Sequence, residues 1–340
     1  MLGVIVVQEQ CLLKEQKRSR PFLKIAQVSN RGCSRKLQRA VCDLAADSSF
    51  DQASKKLKEH YGVELCGETI RQITERHAKR AQEFNRDRPK GSEIARQLVV
   101  ESDGSMVPIV ERREGTGDGR KRKKLSWKEY RLTALQKRGK LNWLYSVAYG
   151  SVDRVGDGLS VLAKRAGFGD ITQVHGLGDG AIWVREQMER VFGCQMEFTI
   201  DFFHLCDYLS AAADVFGEGK TEWMGRTKTA LKKGQINTLV EELKRLERQY
   251  PNHNGLIACI RYIENRETQF AYDKAIEKGL PIGSGKIEST HRNIIQQRMK
   301  KPGAWWKPEL AEAMINLRIL RANEDWDEFW QEEGHQGMAA

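Results

Sequence analysis

The stretch VHGLGDGAIWVREQMERVF, Val174 to Phe192, joins two different patterns of secondary structure. Its first part follows Ile-Thr-Gln and is apolar, which predicts a buried strand, whereas AIWVREQMERVFG predicts a helix. Asp179 lies at the junction, between two glycines. A carboxylate in such a place is either a turn former or a ligand, and the rest of the sequence has to decide which.

Strand and helix patterns alternate on both sides of this stretch. On the N-terminal side, ARQLVVESDGSMVPIVERRE predicts two strands with a turn at Gly104, and WKEYRLTALQ and NWLYSVAYGSV predict further strands. GDGLSVLAKRAGFGD and FHLCDYLSAAADVFG predict helices, and CQMEFTID, which follows the helix after Asp179, predicts a strand. This alternation indicates an α/β fold with a mixed sheet. From Leu205 to about Lys278 the pattern is helical, which predicts an all-helical insertion.

The charge is the most informative bulk property. The 340 residues carry a formal net charge of +11, which favours a polyanionic partner, most commonly nucleic acid. Residues 1–90 hold 19 Lys and Arg against 11 Asp and Glu, a net of +8, and predict a basic helical DNA-binding module. Within it, residues 50–83 show two helical runs around Gly62 and predict a helix-turn-helix. The outward face of its second helix carries side chains suited to DNA: Arg71, Gln72, Arg76, Lys79 and Arg80. An ordinary helical hairpin with a solvated charged face is the alternative.

Several classes of protein are disfavoured. No apolar run approaches the 18 or so residues that a membrane span needs, and MLGVIVV lacks the basic start of a signal peptide, so we expect a cytoplasmic protein with no membrane partner. The seven cysteines include no C-x-x-C pair, which argues against a disulfide framework or a zinc ribbon. GLPIGSGK has Leu280 and Ile287 where a phosphate-binding loop requires Gly and Ser or Thr, which excludes an ATPase of that type.

Three acids are candidates for chemistry. Asp103 and Asp179 end apolar runs, and Glu288 opens a helix after the glycine-rich GSGK. Strands of one sheet end side by side, so these acids can converge, and clustered carboxylates stay ionised together only when cations neutralise them. The pattern therefore predicts a divalent metal site with oxygen ligands. Each acid also has a structural reading, since Asp-Gly favours turns and Glu288 could complement a helix dipole. Asp201 and His204 fit supporting roles near the metal ligands.

Five blocks of the sequence together resemble a known family. ESDGSMVP, GLGDGAIWV, DFFHLCDYLSAAADVFG, GLPIGSGKIESTHRNIIQQRMKKPGAWW and WDEFW are similar to the bacterial insertion-sequence transposases of the Kra type. These are DDE transposases with a ribonuclease H-like core. The resemblance covers roughly Ser49 to Trp330 with the blocks in order, and GDGA-x-W and GSG-x-x-ES are specific in combination. The N-terminus departs from the family, because Cys11 has no partner for the expected cysteine-rich knuckle.

The resemblance implies roles for residues of this chain. Asp103, Asp179 and Glu288 would be the catalytic acids and hold Mg²⁺ or Mn²⁺, as two ions in the family pattern; Asp201 and His204 match a supporting D-x-x-H element. A competing assignment makes Asp201 the second catalytic acid. Arg298, Lys300 and Lys301, which follow the last acid, are expected to hold phosphates near the cut. Arg120 and Lys121 belong to a basic loop run, Arg120 to Lys124, that is either solvated or bound to backbone phosphates. Arg292, one turn beyond Glu288, could instead pair with that acid.

The expected organisation and function follow. The DNA-binding module would occupy residues 1–90, the ribonuclease H-like catalytic core residues 94–204 and 281–330, the helical insertion residues 205–280, and a flexible tail residues 331–340. We expect a transposase, acting as a dimer or larger assembly on DNA at the bacterial nucleoid, that cuts its element's ends and transfers the 3′-OH into target DNA. The alternatives are a catalytically inactive DNA-binding relative, such as a repressor or domesticated protein, and a nuclease without strand transfer.

Overall fold

The N-terminal part of the chain is largely helical. A computed structural model of the protein describes residues 6–8, 11–14, 17–25, 28, 32–89, 91, 93–112 and 122–336. Strands β1 (Leu12–Lys14) and β2 (Lys17–Ser19) pair antiparallel, and helix α1 spans Pro21–Ile25. Helices α2 (Arg35–Asp47), α3 (Phe50–Tyr61) and α4 (Gly67–Arg86) follow. Gly62 ends α3 in the left-handed region that glycine favours, at φ 65°.

A five-stranded mixed sheet forms the centre of the molecule. Its strands are β3 (Gln97–Arg112), β4 (Lys123–Lys137), β5 (Trp143–Tyr149), β6 (Gln173–Gly178) and β7 (Met196–Ile200), in the spatial order β5-β4-β3-β6-β7. β3, β4 and β5 are antiparallel neighbours, whereas β6 and β7 run parallel to β3. Helix α5 (Asp153–Ala166) leads into β6, and α6 (Ile182–Phe192) connects β6 to β7. The mixed α/β sheet expected from the sequence is confirmed.

The described chain after β7 is helical. It comprises α7 (Phe202–Ala212), α8 (Lys220–Lys232), α9 (Ile236–Gln249), α10 (Asn254–Glu264), α11 (Tyr272–Glu277), α12 (Gly285–Thr290), a π-helical turn (His291–Gln296), α13 (Gln297–Met299), α14 (Pro308–Ala322) and α15 (Trp326–Gln336). Short 3₁₀ turns span Gly193–Gln195 and Ala213–Gly219. Because α15 extends to Gln336, the expected flexible tail begins inside a helix. Among the described helices, none is long and apolar enough to cross a membrane.

The predicted turn at Gly104 is wrong, because β3 runs unbroken through Asp103 and Gly104. Both residues pair with β4, Asp103 with Leu132 and Gly104 with Arg131. In place of a turn, the Glu129 side chain of β4 fills the space beside this glycine. A Cβ on Gly104 would lie 2.2 Å from a carboxylate oxygen of Glu129 on β4. The two predicted strands are therefore one long central strand that carries Asp103 in its interior.

The N-terminal helices share a hydrophobic core with the C-terminal helices. Buried residues of α2, α3 and α4 belong to the same cluster as the buried face of α14 and one face of β3 and β4. Two buried arginines also link the N-terminal helices to the C-terminal helices through hydrogen bonds. Arg298 donates to the Ala45 carbonyl (2.9 Å), and Arg318 donates to the carbonyls of Ala46, Asn293 and Ile294. The basic N-terminal segment is thus packed onto the rest of the chain from α2 onward.

Replacing Arg318 with leucine is expected to lower the free energy of unfolding by roughly 3–5 kcal/mol. The substitution would leave two buried carbonyl groups and one partly buried one without their donor, and it would remove the ion pair with Asp47 (2.6 Å). Urea denaturation followed by tryptophan fluorescence would measure the loss. Arg226→Leu is the matched control, since Arg226 is largely exposed in its ion pair with Glu242 and should cost under about 1 kcal/mol. Equal stabilities of the two variants would contradict this account of the core.

Candidate active site

Three aspartates lie at the same level of the sheet, one inside β3 and two directly after the carboxyl ends of β6 and β7. Glu101 pairs with Leu177 of β6, and Leu177 pairs with Thr199 of β7. Two residues further along the same register, Asp103, Asp179 and Asp201 stand side by side. Side chains two residues apart share a face of the sheet, so the acids continue the face that carries Glu101, Leu177 and Thr199. The edge predicted from the sequence is thus built from three adjacent strands.

Asp179 is presented by a turn that α10 holds in place. Its carboxylate Oδ1 accepts a hydrogen bond from the Ala181 N–H (2.9 Å), which starts the chain into α6. Its own carbonyl accepts from the Tyr262 hydroxyl (2.7 Å). Gly180 adopts φ +87°, and its carbonyl accepts from the Arg266 guanidinium at 2.8 and 3.0 Å. One carboxylate oxygen thus forms the turn, and the side chain as a whole stays half-buried.

Asp201 is buried, and both of its carboxylate oxygens are already in use. Oδ1 caps helix α7 by accepting from the N–H groups of Phe203 (2.6 Å) and His204 (2.9 Å). Oδ2 accepts from the N–H (2.5 Å) and the hydroxyl of Ser284, in the loop before α12. The D-x-x-H spacing is therefore an N-cap that uses the backbone of His204. The His204 ring itself lies against Tyr208 and Tyr262, with centroids 5.5 and 5.8 Å away.

Glu101 is a functional candidate that the sequence reasoning missed. It is only 2% exposed, and it accepts a hydrogen bond from the Ile287 N–H (2.8 Å) at the first turn of α12. Burial raises the pKa of this carboxyl to about 7, against the opposing effect of the Ile287 N–H. The signal was present in the sequence, because Glu101 precedes Asp103 by two residues and so shares its face of β3. Glu101 and Asp201 together anchor the GSGK loop and α12.

Glu101 makes stability depend on pH in a direction that can be tested. Its folded-state pKa is raised from 4.5 to about 7, so the folded protein favours the neutral acid and the unfolded chain the carboxylate. Stability should therefore fall as pH rises from 4.5 to 7 and level off above that, by roughly 2–3 kcal/mol in total. Urea midpoints at about pH 5 and about pH 8 in EDTA would show this fall in the wild type and a smaller one in Glu101→Gln. Identical pH dependence in both proteins would contradict it.

One flank of α12 faces the three aspartates and carries Glu288. Ser284, Glu288 and His291 follow one another at spacings of four and three residues, which places them on one side of a helix. Ser284 contacts Asp201, and His291 Nε2 lies 3.3 Å from Asp103 Oδ2. Glu288 lies between these two contacts on the same flank and is exposed. The next turn, His291–Gln296, is π-helical, a feature common at functional sites.

The donor set suits a hard divalent cation, but the described residues do not hold a complete metal cage. Among them, no group of three or more His, Cys, Asp or Glu side chains is placed to bind a metal ion. Asp103 and Asp179 offer carboxylate oxygens with partial exposure, the ligand type that Mg²⁺ and Mn²⁺ prefer. His291, which is buried beside Asp103, has no hydrogen bond to either ring nitrogen. These features fit a metal held first by the two aspartates, while Glu288 is on the helix flank that contacts Asp103 and Asp201 through its neighbours His291 and Ser284.

The α4 residues that were predicted to bind DNA differ in their contacts and in their exposure. On α4, Arg71 is engaged by Glu68 and Glu75 in ion pairs of 2.6 Å, and Gln72 donates to Glu68. Arg76 contacts Gln38; Lys79 is exposed and Arg80 half-buried.

Past the last acid, Lys300 and Lys301 are half-buried. Arg298 is 3% exposed and packs over the rings of Phe50 and Trp306. It is a core residue in this structure, so its assignment to phosphate binding is withdrawn. Arg120 and Lys121 lie outside the described residues.

Comparison with known proteins adds one finding. No curated protein matches the chain significantly. A family match, however, spans residues 22–332, which include the N-terminal helices, the whole sheet, all the acids described above and α14. The chain belongs to the uncharacterised protein family UPF0236.

Proposed function

We propose that the protein is a DNA transposase that cleaves DNA at the ends of its own element and joins the freed 3′-OH to target DNA. The observation that carries the proposal is the alignment of Asp103, inside β3, with Asp179, directly after the end of the neighbouring parallel strand β6, beside the α12 flank that bears Glu288. The family match supports it, because UPF0236 is associated with transposase-like proteins.

The strand order adds support from topology. Counted within the sheet, the order is third, second, first, fourth, fifth, with only the second strand antiparallel to the rest. This is the arrangement expected for a ribonuclease H-like core. The first acid is then carried by the first strand, the second acid follows the fourth strand, and the third acid lies on a helix after the sheet. The helices between β7 and α12 occupy the place of the insertion that the resemblance implies.

The five acids fall into two roles in this proposal, metal ligands and positioning residues. Asp103, Asp179 and Glu288 would hold one or two Mg²⁺ or Mn²⁺ ions, which activate water or a 3′-hydroxyl and stabilise the leaving oxygen. Asp103 is fixed within a paired strand, and Asp179 is oriented by its turn and by Tyr262. Asp201 and Glu101 hold the loop and first turn of α12 and so determine where Glu288 stands. Positioning the third acid is the contribution of these two buried residues.

A strand-transfer assay tests the proposal. The purified protein would be incubated with Mg²⁺, a donor plasmid carrying its own gene with both flanking sequences, and a supercoiled target plasmid. We expect cleavage at the ends of the element and covalent donor–target joints, which sequencing would locate. Cleavage without joints would instead identify a nuclease. A dimer or larger assembly on paired ends, measured by sedimentation, is part of the same proposal.

A DNA-binding protein without catalysis is the second candidate. It is favoured by the absence of an assembled metal-binding group among the described residues. In that case the protein would bind the element's flanks with a steep salt dependence, and neither Mg²⁺ nor Mn²⁺ would produce nicks. The same plasmid assay, read for binding and for nicking, separates the two candidates.

A further inference from the structure

Two tryptophans lie together on the surface, away from the aspartates. Trp127 on β4 is 52% exposed and Trp305, in the segment before α14, is 40% exposed. Their ring centroids are 6.4 Å apart with the planes at 62°. Met106 and Leu125 on the neighbouring strand positions are also exposed. We name Met106, Leu125, Trp127 and Trp305 the aromatic ledge.

The strand register explains why this ledge faces outward. Trp127 pairs with Pro108 and Leu125 with Val110, so these side chains share one face of the β3–β4 ribbon. The alternate residues, Val107, Ile109 and Tyr130, are fully buried in the core on the other face. The segment with Trp305 adds to the free edge of β3, where Trp306 exchanges backbone hydrogen bonds with Pro108 and Val110. Trp306 is buried, and Trp305 therefore points to the opposite, outer face.

The ledge borders an open cleft with a basic rim. A cavity of about 1,020 Å³ separates it from the helix α4. Its walls include Leu125 and Trp305, as well as Arg71 from α4. The charged residues of its lining are Arg71, Lys123, Arg298 and Lys307 against Glu75, Glu111 and Glu309. Three further lysines adjoin the lining in the chain: Lys124, Lys300 and Lys301. The excess of positive charge around exposed aromatic rings fits a polyanion that also offers flat apolar faces.

A row of side chains leads from the ledge toward the strand end that carries Asp179. Two residues beyond Glu129, Arg131 on β4 lies 5.3 Å from the ring centroid of Trp183. Trp183 is in the first turn of α6, four residues after Asp179. Glu129 lies between Trp127 and Arg131 on this face and forms an ion pair with Arg131 (2.5 Å), so the row from the ledge to the turn of the second acid includes one acid–base pair.

We propose that the aromatic ledge binds unpaired bases of single-stranded DNA by stacking on Trp127 and Trp305, while the surrounding lysines contact the phosphates. Every base has a π face, so such stacking needs no particular sequence. Paired bases in a duplex are already stacked and cannot offer their faces. The ledge therefore binds DNA whose strands are separated next to the cleavage site. The inference rests on the proposed function for the identity of the nucleic acid.

Binding of labelled DNA to the full chain tests this inference. Fluorescence anisotropy would compare a single strand of about 20 nucleotides with a duplex of the same sequence, in EDTA and about 150 mM salt. We expect the double variant Trp127→Ala/Trp305→Ala to bind the single strand about 10- to 100-fold more weakly, and the duplex within about 3-fold of wild type. The phenylalanine pair, Trp127→Phe/Trp305→Phe, should stay within about 3-fold on both, because it keeps the stacking faces.

The control removes exposed apolar side chains elsewhere. Leu141→Ala/Ile171→Ala alters two residues that are exposed and distant in the chain from the ledge, and it should change neither affinity. Equal losses for single strand and duplex, or no loss for either, would overturn the inference. So would dissociation of a dimer by the alanine pair with unchanged single-strand affinity, because the ledge would then be a contact between copies. Because EDTA removes metal, this result is independent of the strand-transfer assay, and either proposal can fail alone.

Discussion

Replacing Asp103 or Asp179 with asparagine is expected to lower the rate of DNA cleavage by on the order of 10³-fold, about 4 kcal/mol of transition-state stabilisation, with the fold and DNA binding preserved. Both side chains are partly exposed. In the Asp179→Asn variant the amide oxygen could still accept the Ala181 N–H, and position 103 would keep its backbone pairing in β3. What the amide cannot supply is the negative charge that a divalent cation requires.

Glu288→Gln should lower the cleavage rate as much as the two aspartate variants do. It is the most informative of these three variants. Glu288 is exposed in the first turn of α12, so its loss should hardly change stability. If its role were only to complement the helix dipole, the glutamine variant would lose under about 1 kcal/mol of stability and no activity. If it is the third metal ligand, cleavage should fall as steeply as in the aspartate variants.

Rates would be measured as nicking of the donor plasmid at saturating protein, with DNA affinity measured separately in EDTA. Asp207→Asn provides a matched control, since Asp207 is an exposed acid on α7 that the proposal gives no role. The control should cleave at the wild-type rate. Cleavage within about 10-fold of wild type in all three site variants would remove these residues from the chemistry, and the assignment with them.

The sequence predicted the sheet edge well because the strands that end there are apolar and short. β6 and β7 appear where Asp179 and Asp201 follow buried runs, and α6 and α7 begin directly after them. At Gly104 the prediction failed, since Asp-Gly favours a turn locally but pairing with β4 over the whole length of β3 outweighs that preference. Local propensity could not reveal that the Glu129 side chain lies against Gly104.

The other differences between the sequence-based predictions and the structure come from contacts between residues that are far apart in the chain. Arg298 belongs to a basic run that is typical of a phosphate-binding surface, but it packs between Phe50 and Trp306, residues far apart in the chain. Glu101 was overlooked because an acid inside an apolar strand is costly, and only the N–H groups of α12 make its burial tolerable. The link from Asp201 to Ser284 spans 83 positions. None of these partners is visible in a local pattern.

Replacing Asp201 is expected to have the second large effect, a loss of stability. The size of this loss distinguishes Asp179 from Asp201 as the second catalytic acid. Replacing Asp201 with alanine would uncap α7 and leave the N–H groups of Phe203 and His204, together with the Ser284 N–H, without their acceptor. Loss of an N-cap costs about 1 kcal/mol, and each buried donor left unpaired costs about 1–3 kcal/mol. We therefore expect the free energy of unfolding to fall by roughly 3–5 kcal/mol in metal-free buffer.

A metal ligand would give the opposite result in that buffer. In the absence of metal, a buried carboxylate that serves as a metal ligand repels the neighbouring carboxylates. Its removal should therefore leave the metal-free protein as stable as before or more stable. Asp201→Asn sharpens the comparison, because one amide oxygen can still cap α7 while the NH₂ group cannot accept the Ser284 N–H. It should lose about half of the stability that the alanine variant loses. It should also lose cleavage activity, because the loop that positions Glu288 is released.

Urea denaturation in EDTA, with and without later addition of Mg²⁺, would decide between the assignments. Asp207→Ala is the control on the same helix and should cost less than about 0.5 kcal/mol. A large loss for Asp201→Ala, with Mg²⁺ stabilising both it and the wild type to the same extent, would identify Asp201 as the anchor of the α12 loop. An unchanged metal-free stability, with stabilisation by Mg²⁺ abolished, would instead transfer the second metal-ligand role from Asp179 to Asp201.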